Sequence, residues 1–144
     1  MSNPSPLPYA GEISPAEAWN RLASEPSAKV IDVRTQAEWS FVGVPDLSPL
    51  GKQVLLVSWQ VFPTMARNDA FVAQVEAHGV KKDDTLLLLC RSGVRSRAAA
   101  ELLTALGYTA AWNVTDGFEG PHDSAKHRGA VAGWKASALP WAQG

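Results

Sequence analysis

The sequence predicts a three-layer α/β domain built on a largely parallel sheet. Short β-branched or wholly apolar runs alternate with segments of helical period. One run, Thr85 to Leu89, is apolar on both faces, as a strand in the middle of a parallel sheet must be. Polar clusters follow the carboxyl ends of two runs, at Asp32-Val33-Arg34 and at Cys90-Arg91-Ser92, where α/β proteins place their chemistry.

Each element has its own signal. Ser14, Pro15 and Glu17 occupy N-cap, N1 and N3 of a first helix whose apolar face is Ala18, Trp19, Leu22 and Ala23. Lys29 to Val33 is a buried strand. Thr35 and Glu38 repeat the capping-box spacing, which predicts a short helix over 36–41 stopped by Gly43 and Pro45. Val44 to Gly51 carries two prolines and reads as a loop. Lys52 to Trp59 reads as a second strand, and Pro63 to Arg67 leads into a helix opened by Asn68, with Phe71, Val72 and Val75 on one side and Gly79 at C′. Asp83 and Asp84 turn the chain into the strand Thr85–Leu89. A helix from about Arg95 to Leu106 follows, with Ala99, Leu102, Leu103 and Leu106 on one face and Gly107 closing it, and Ala110 to Val114 is the last strand. Beyond Asp116 the pattern weakens into irregular structure, with Trp134 and Trp141, expected to pack over the domain.

Length and composition narrow the function classes. The 144 residues, 46% of them hydrophobic, suit one ordinary domain, expected over 13–144 with a flexible leader at 1–12 and an extended C-terminal segment from about 117. A net charge of −1 leaves no global footprint for nucleic acid or anionic membrane, so an anion must be caught by a local cluster. Six tryptophans without a basic stripe read as core or lid packing rather than base stacking. The N-terminal residues lack a basic and then an apolar region of a secretory signal, and no apolar run is long enough to span a bilayer. One cysteine forms no internal disulfide and no CxxC redox pair. A reducing, cytoplasmic setting is therefore expected. One cysteine and three scattered histidines make no zinc spacing, and neither a metal nor an organic cofactor is expected.

The chemistry concentrates at Cys90-Arg91-Ser92-Gly93-Val94-Arg95-Ser96. A free cysteine at the end of an apolar strand is most often inert packing. Here, however, it stands between a strand and a helix start, where backbone N–H groups and the positive end of the helix dipole favour thiolate over thiol. Gly93 permits a turn of positive φ, and the amides of Ser92 to Ser96 can then form a nest for a small anion. Arg91 and Arg95 add positive charge, with Arg97 just beyond. The three histidines are weaker candidates: His78 falls near a helix C-terminus, and His122 and His127 lie in the polar tail.

These residues resemble the rhodanese sulfurtransferase family from about Ile13 onward. The marks are Val30-Ile31-Asp32-Val33-Arg34, then Glu38-Trp39 with Gly43 and Pro45, the Cys90 loop, Asn113-Val114 through Asp116-Gly117-Phe118, and Gly133-Trp134-Lys135 with Leu139-Pro140-Trp141. The resemblance implies a rhodanese fold and a persulfide on Cys90. It also implies loop amides that stabilise this persulfide, Arg95 as the family's loop arginine, and Asp32 and Arg34 as supports beneath the loop. The implied partners are a small anionic sulfur donor such as thiosulfate and a cyanide or thiol acceptor, including a sulfur-accepting protein. Val44 stands where many members have histidine, and the segment 120–133 is longer than the minimal pattern, with Asp123, Lys126, His127 and Arg128 at hand.

Two other readings share some of these features. A cysteine phosphatase or arsenate reductase also sets a thiolate in an anion-cradling loop, but the tyrosine-phosphatase signature wants arginine six positions after the cysteine, where this chain has Ser96, and a histidine before it, where this chain has Leu89. A loop one residue shorter suits a sulfur atom better than a phosphoryl group. A non-catalytic rhodanese-like module, binding a partner or sensing oxidation, is the other class.

Overall fold

The computed structural model describes residues 9–35, 38–39, 44–61, 66–90, 94–115, 134 and 139–142. Its centre is a five-stranded sheet of β1 (Gly11–Ile13), β2 (Lys29–Asp32), β4 (Leu55–Leu56), β7 (Thr85–Leu89) and β8 (Ala110–Val114). The strands run in the order β1-β8-β7-β2-β4, and every neighbouring pair is parallel. Among the described residues α1 (Pro15–Ser24), α2 (Phe71–Ala77) and α3 (Val94–Ala105) flank it, and of the short helix expected over 36–41 only Glu38 and Trp39 are described, both helical. Two small antiparallel pairs complete the described chain, β3 (Val44–Pro45) with β9 (Trp141–Ala142), and β5 (Gln60–Val61) with β6 (Ala66–Arg67). The predicted three-layer α/β class is the observed one.

The pleat of β7 sorts the core into two halves. All five of its residues are buried, and alternate side chains go to opposite faces. Leu86 and Leu88 join Ile31, Val33, Phe71, Val75, Ala99, Ala100 and Leu103 beneath α2 and α3, and Cys90 continues that row. Leu87 and Leu89 join Val30, Ala18, Leu22, Val114 and Trp134 beneath α1 and the C-terminal segment. Cys90 is thus fixed by alternation on the α3 side of the sheet.

Local signals explain the best-formed elements. The Ser14 oxygen accepts from the Glu17 amide at 3.1 Å and donates to the Glu17 carboxylate at 2.9 Å, and Pro15 opens α1 where its missing N–H costs nothing. The predicted capping box at Thr35 also forms: the Thr35 amide donates to Glu38 at 3.2 Å, and the Glu38 amide donates to the Thr35 hydroxyl at 3.4 Å. Gly79 takes φ +76° just past α2, and Gly107 takes +103° past α3, the left-handed turn that lets each helix stop.

Elsewhere the structure corrects the sequence reading. Gly11 to Ile13 are an edge strand of the main sheet, and Tyr9 is buried, so residues 9–12 are part of the fold and not of the leader. The strand expected over 52–59 is only Leu55–Leu56, after which the chain leaves the sheet toward the β5–β6 hairpin. The loop expected over 44–51 contains β3 and a 3₁₀ turn, Ser48–Leu50. Ala110–Val114 is the last strand of the main sheet but not of the chain, since β9 follows. Asn68 does not open α2; its side chain accepts from the Ala70 amide and donates to Ser58 and Gln74, tying the hairpin to a helix that begins at Phe71. Leu106 falls beyond the end of α3 and is exposed, leaving Ala99, Ala100 and Leu103 as the buried face. Trp134 packs edge-on against Trp19 at 5.9 Å and donates its indole N–H to the Pro140 carbonyl, so Trp134 covers the α1 side, while most of the segment from 116 onward lies outside the described residues.

Candidate functional site

Cys90 follows directly on β7, 1% exposed, at the carboxyl end of the sheet. Helix α3 starts at Val94, four residues on, so its first turn stands over the sulfur. Ser96, on that first turn and fully buried, brings its Oγ to 3.3 Å from the Cys90 sulfur. The same hydroxyl donates to Asn113 Oδ1 on the neighbouring strand β8. Asn113 in turn donates its Nδ2 to the Glu12 carboxylate on β1, at 2.9 and 3.2 Å. Strand register makes this chain possible: Leu88, Asn113 and Glu12 are successive partners across β7, β8 and β1. They share one face, and Cys90 lies two residues beyond Leu88 on it. Tyr9 donates to Glu12 from one side, and the Arg97 guanidinium approaches to 3.9 Å.

Two ion pairs frame the sulfur. Asp32 and Arg34, both without exposed side-chain surface, meet through contacts of 2.9 and 3.2 Å from Arg34 Nε and 2.6 Å from Nη2. The Arg34 amide also donates to the Asp32 carboxylate at 3.1 Å, closing a turn at the end of β2. The second pair is a fork: Arg95 donates from both terminal nitrogens to Glu38, at 2.6 and 2.9 Å. Burial works to raise the Glu38 carboxyl, but the Arg95 bonds and charge, the Thr35 amide and the Arg34 charge outweigh it and hold it below the ordinary range. Burial likewise works against the Arg95 cation, yet the Glu38 bonds and charge outweigh it and keep it charged.

The pairing changes the expected role of Arg95. Its terminal nitrogens are committed to Glu38, so it pins the helix start to the Thr35–Glu38 turn while its charge still reaches Cys90. Sequence reasoning had seen Glu38 as a capping residue and a mark of the family resemblance, not as the partner of Arg95. Arg91, Ser92, Gly93 and the Val94 side chain lie outside the described residues, as do Asp123, Lys126, His127, Arg128 and His122. Val44 sits on β3, paired with Ala142, and His78 is the C-cap of α2, remote from the sulfur's strand end. Among the described residues no group of three or more His, Cys, Asp or Glu is placed to hold a metal, and no helix is long and apolar enough to cross a membrane.

Glu12 and Asn113 are site residues that the sequence reading missed. Asn113 carried a signal: a carboxamide inside an otherwise apolar strand needs a buried partner. Glu12 carried none, because its partner is 101 positions away.

Comparison with known proteins bears on the family and the fold. The pattern of the STR4 middle domain matches residues 10–144. A crystal structure of Rv0390 from M. tuberculosis superposes with a TM-score of 0.85 at 48% identity, covering 94% of this chain and 99% of that one. The polysulfide-sulfur transferase homodimer of Wolinella succinogenes shares the fold, with a TM-score of 0.64 over 92% of this chain and 78% of its own, at 19% identity. An uncharacterized protein of Rickettsia conorii is 36% identical over 129 residues, 90% of this chain and 94% of that protein. The chloroplastic protein THYLAKOID RHODANESE-LIKE of Oryza sativa subsp. indica is 32% identical over 135 residues, 93% of this chain and 25% of the plant protein. The chain belongs to the rhodanese-like proteins, in the group of the STR4 middle domain.

Proposed function

We propose that the protein is a sulfurtransferase that carries sulfane sulfur as a persulfide on Cys90. The observation that carries this reading is the placement of the only cysteine at the carboxyl end of the central strand, before the first turn of α3, with the Ser96 hydroxyl against its sulfur and the Arg95 charge within its field. The Cys90 thiolate attacks the outer sulfur of a donor such as thiosulfate. The sulfur–sulfur bond of the donor breaks, sulfite leaves with the electron pair, and the terminal sulfur stays on the enzyme. A thiolate or cyanide then attacks that terminal sulfur and releases Cys90 as thiolate.

The chain's own groups divide the work. The loop Arg91, Ser92, Gly93, Val94, Arg95 and Ser96 is assigned the binding of donor and persulfide, the terminal anion falling to the amides of Ser92 to Ser96 as their sequence predicts. Arg91 draws the donor in. Arg95, held by Glu38, sets the start of α3 and contributes field more than direct contact. Asp32 and Arg34 brace the turn beneath. Neither step calls for a metal, an organic cofactor or a separate base. The acceptor is a small thiol, cyanide or a sulfur-accepting protein, and a lone reactive thiol fits a reducing compartment such as the cytoplasm.

Thiocyanate formation from thiosulfate and cyanide tests the reading. Wild type turns over and Cys90→Ser does not; turnover retained in that variant would sink the mechanism.

A further inference from the structure

The chain of side chains behind Cys90 contains one proton with two places to go. The Ser96 hydroxyl has a single hydrogen but lies against two acceptors, the Cys90 sulfur at 3.3 Å and Asn113 Oδ1. Glu12 decides between them. An ionised carboxylate only accepts, so it draws the Asn113 Nδ2 toward itself and thereby turns Oδ1 toward Ser96. A carboxamide oxygen is a much better acceptor than sulfur, so the hydroxyl proton goes to Asn113. Ser96 then shows a lone pair to Cys90, an arrangement that suits S–H and opposes a negative sulfur.

We propose that Glu12, Asn113 and Ser96 are positioning residues that form a hydrogen-bond switch, holding the Ser96 proton away from Cys90 until the sulfur takes on charge. When Cys90 ionises it loses its own proton to water. Ser96 keeps its hydrogen and swings it from Asn113 Oδ1 to the sulfur. The strength with which Glu12 holds Asn113 sets how readily that swing occurs. The groups facing Glu12 tune this grip: Tyr9 donates to it and Arg97 neutralises part of its charge. An edge strand two strands away from β7 thus sets the resting state of the nucleophile. The proposal rests on reading Cys90 as the nucleophile.

The test uses the only cysteine as its own probe. Protein labelled with ¹³C at cysteine gives one Cβ resonance, whose position reports thiol or thiolate as pH is varied, without donor or acceptor. Glu12→Gln releases Asn113 to turn over and donate to Ser96, so the pH at which the resonance moves falls by on the order of one unit. Glu12→Asp keeps the charge but withdraws it by one methylene, and produces a fall in the same direction. In a Ser96→Ala background, Glu12→Gln produces less than half its original shift, because the route through the hydroxyl is gone. A fall of less than about 0.3 units in Glu12→Gln overturns the switch. So does a shift that keeps half or more of its size without Ser96, since the carboxylate then acts by charge alone. No sulfur loading enters this readout, so a protein that shows the switch yet never gains sulfur from a donor refutes the transfer reading and leaves the switch standing.

Discussion

The two ends of the parallel sheet are both crowded with charge, yet they are built to different rules. At the amino-terminal end Lys29 pairs with Asp84 at 2.8 Å, and Lys52 donates to the carbonyls of Glu25 and Ala28 at 2.7 and 2.9 Å. Lys29 is 30% exposed, and beside these lysines lies an open cleft of about 460 Å³ lined by Pro26, Ala28, Lys29, Leu47, Gly51 and Lys52. These contacts fasten turns to strand starts. At the carboxyl end Asp32 and Arg34 are wholly buried, Arg95 forks onto Glu38, and a polar row runs from Glu12 to the sulfur of Cys90. Charge there is paired internally, so that Cys90 sits in a fixed field rather than a hydrated one. Water screens the first set and is excluded from much of the second, and that difference in dielectric separates fastening from chemistry.

Breaking the buried pair is the strongest way to expose this contrast. Asp32→Ala leaves Arg34 charged and buried, and is expected to cost about 3–5 kcal/mol in a denaturant melt. Next comes the fork: Arg95→Ala frees the start of α3, and thiocyanate turnover should fall about 10²-fold, as for a reacting group displaced by about 1 Å. Arg97→Ala, at the longer 3.9 Å contact, should lose less than about tenfold in the same assay. Equal losses would mean that the fork does not position the loop.

The pH dependence follows from the depressed Glu38 carboxyl. Its stabilising contribution is fully present above the unfolded carboxylate value and is lost as pH falls through the lower folded value. Melting temperature should therefore drop less steeply below about pH 4.5 in Glu38→Gln than in wild type. An identical acid slope would contradict the fork as a stabilising pair. Smallest is Lys29→Ala at the opposite end, expected within about 1 kcal/mol because the pair is partly solvated. A loss as large as that of Asp32→Ala would erase the distinction between the two ends.

The same contrast explains what could be read from the sequence. Features set by neighbours along the chain were legible: the Ser14–Glu17 cap, the apolar run of β7, Cys90 at a helix start, and the glycine stop at Gly107. Features set by partners far away were not. Strand β1 is three residues long and earns its place only by pairing with β8, and β3 exists only because β9 returns to it from the other end of the chain. Strand β4 shrinks to two residues because the chain departs for the hairpin once Val57 and Trp59 have bonded the end of β2. At the site, Cys90 and its loop announced themselves through local chemistry. Glu38 as the partner of Arg95, and Glu12 behind Asn113, required the sheet register and the packing of α3 to be known.

The most direct test of the central claim is the intact mass of wild type and Cys90→Ser after thiosulfate, and again after cyanide or a thiol. Persulfide transfer predicts a gain of one sulfur, about 32 Da, on wild type alone, removed by the acceptor. An unchanged wild-type mass, or an equal gain on Cys90→Ser, would contradict it.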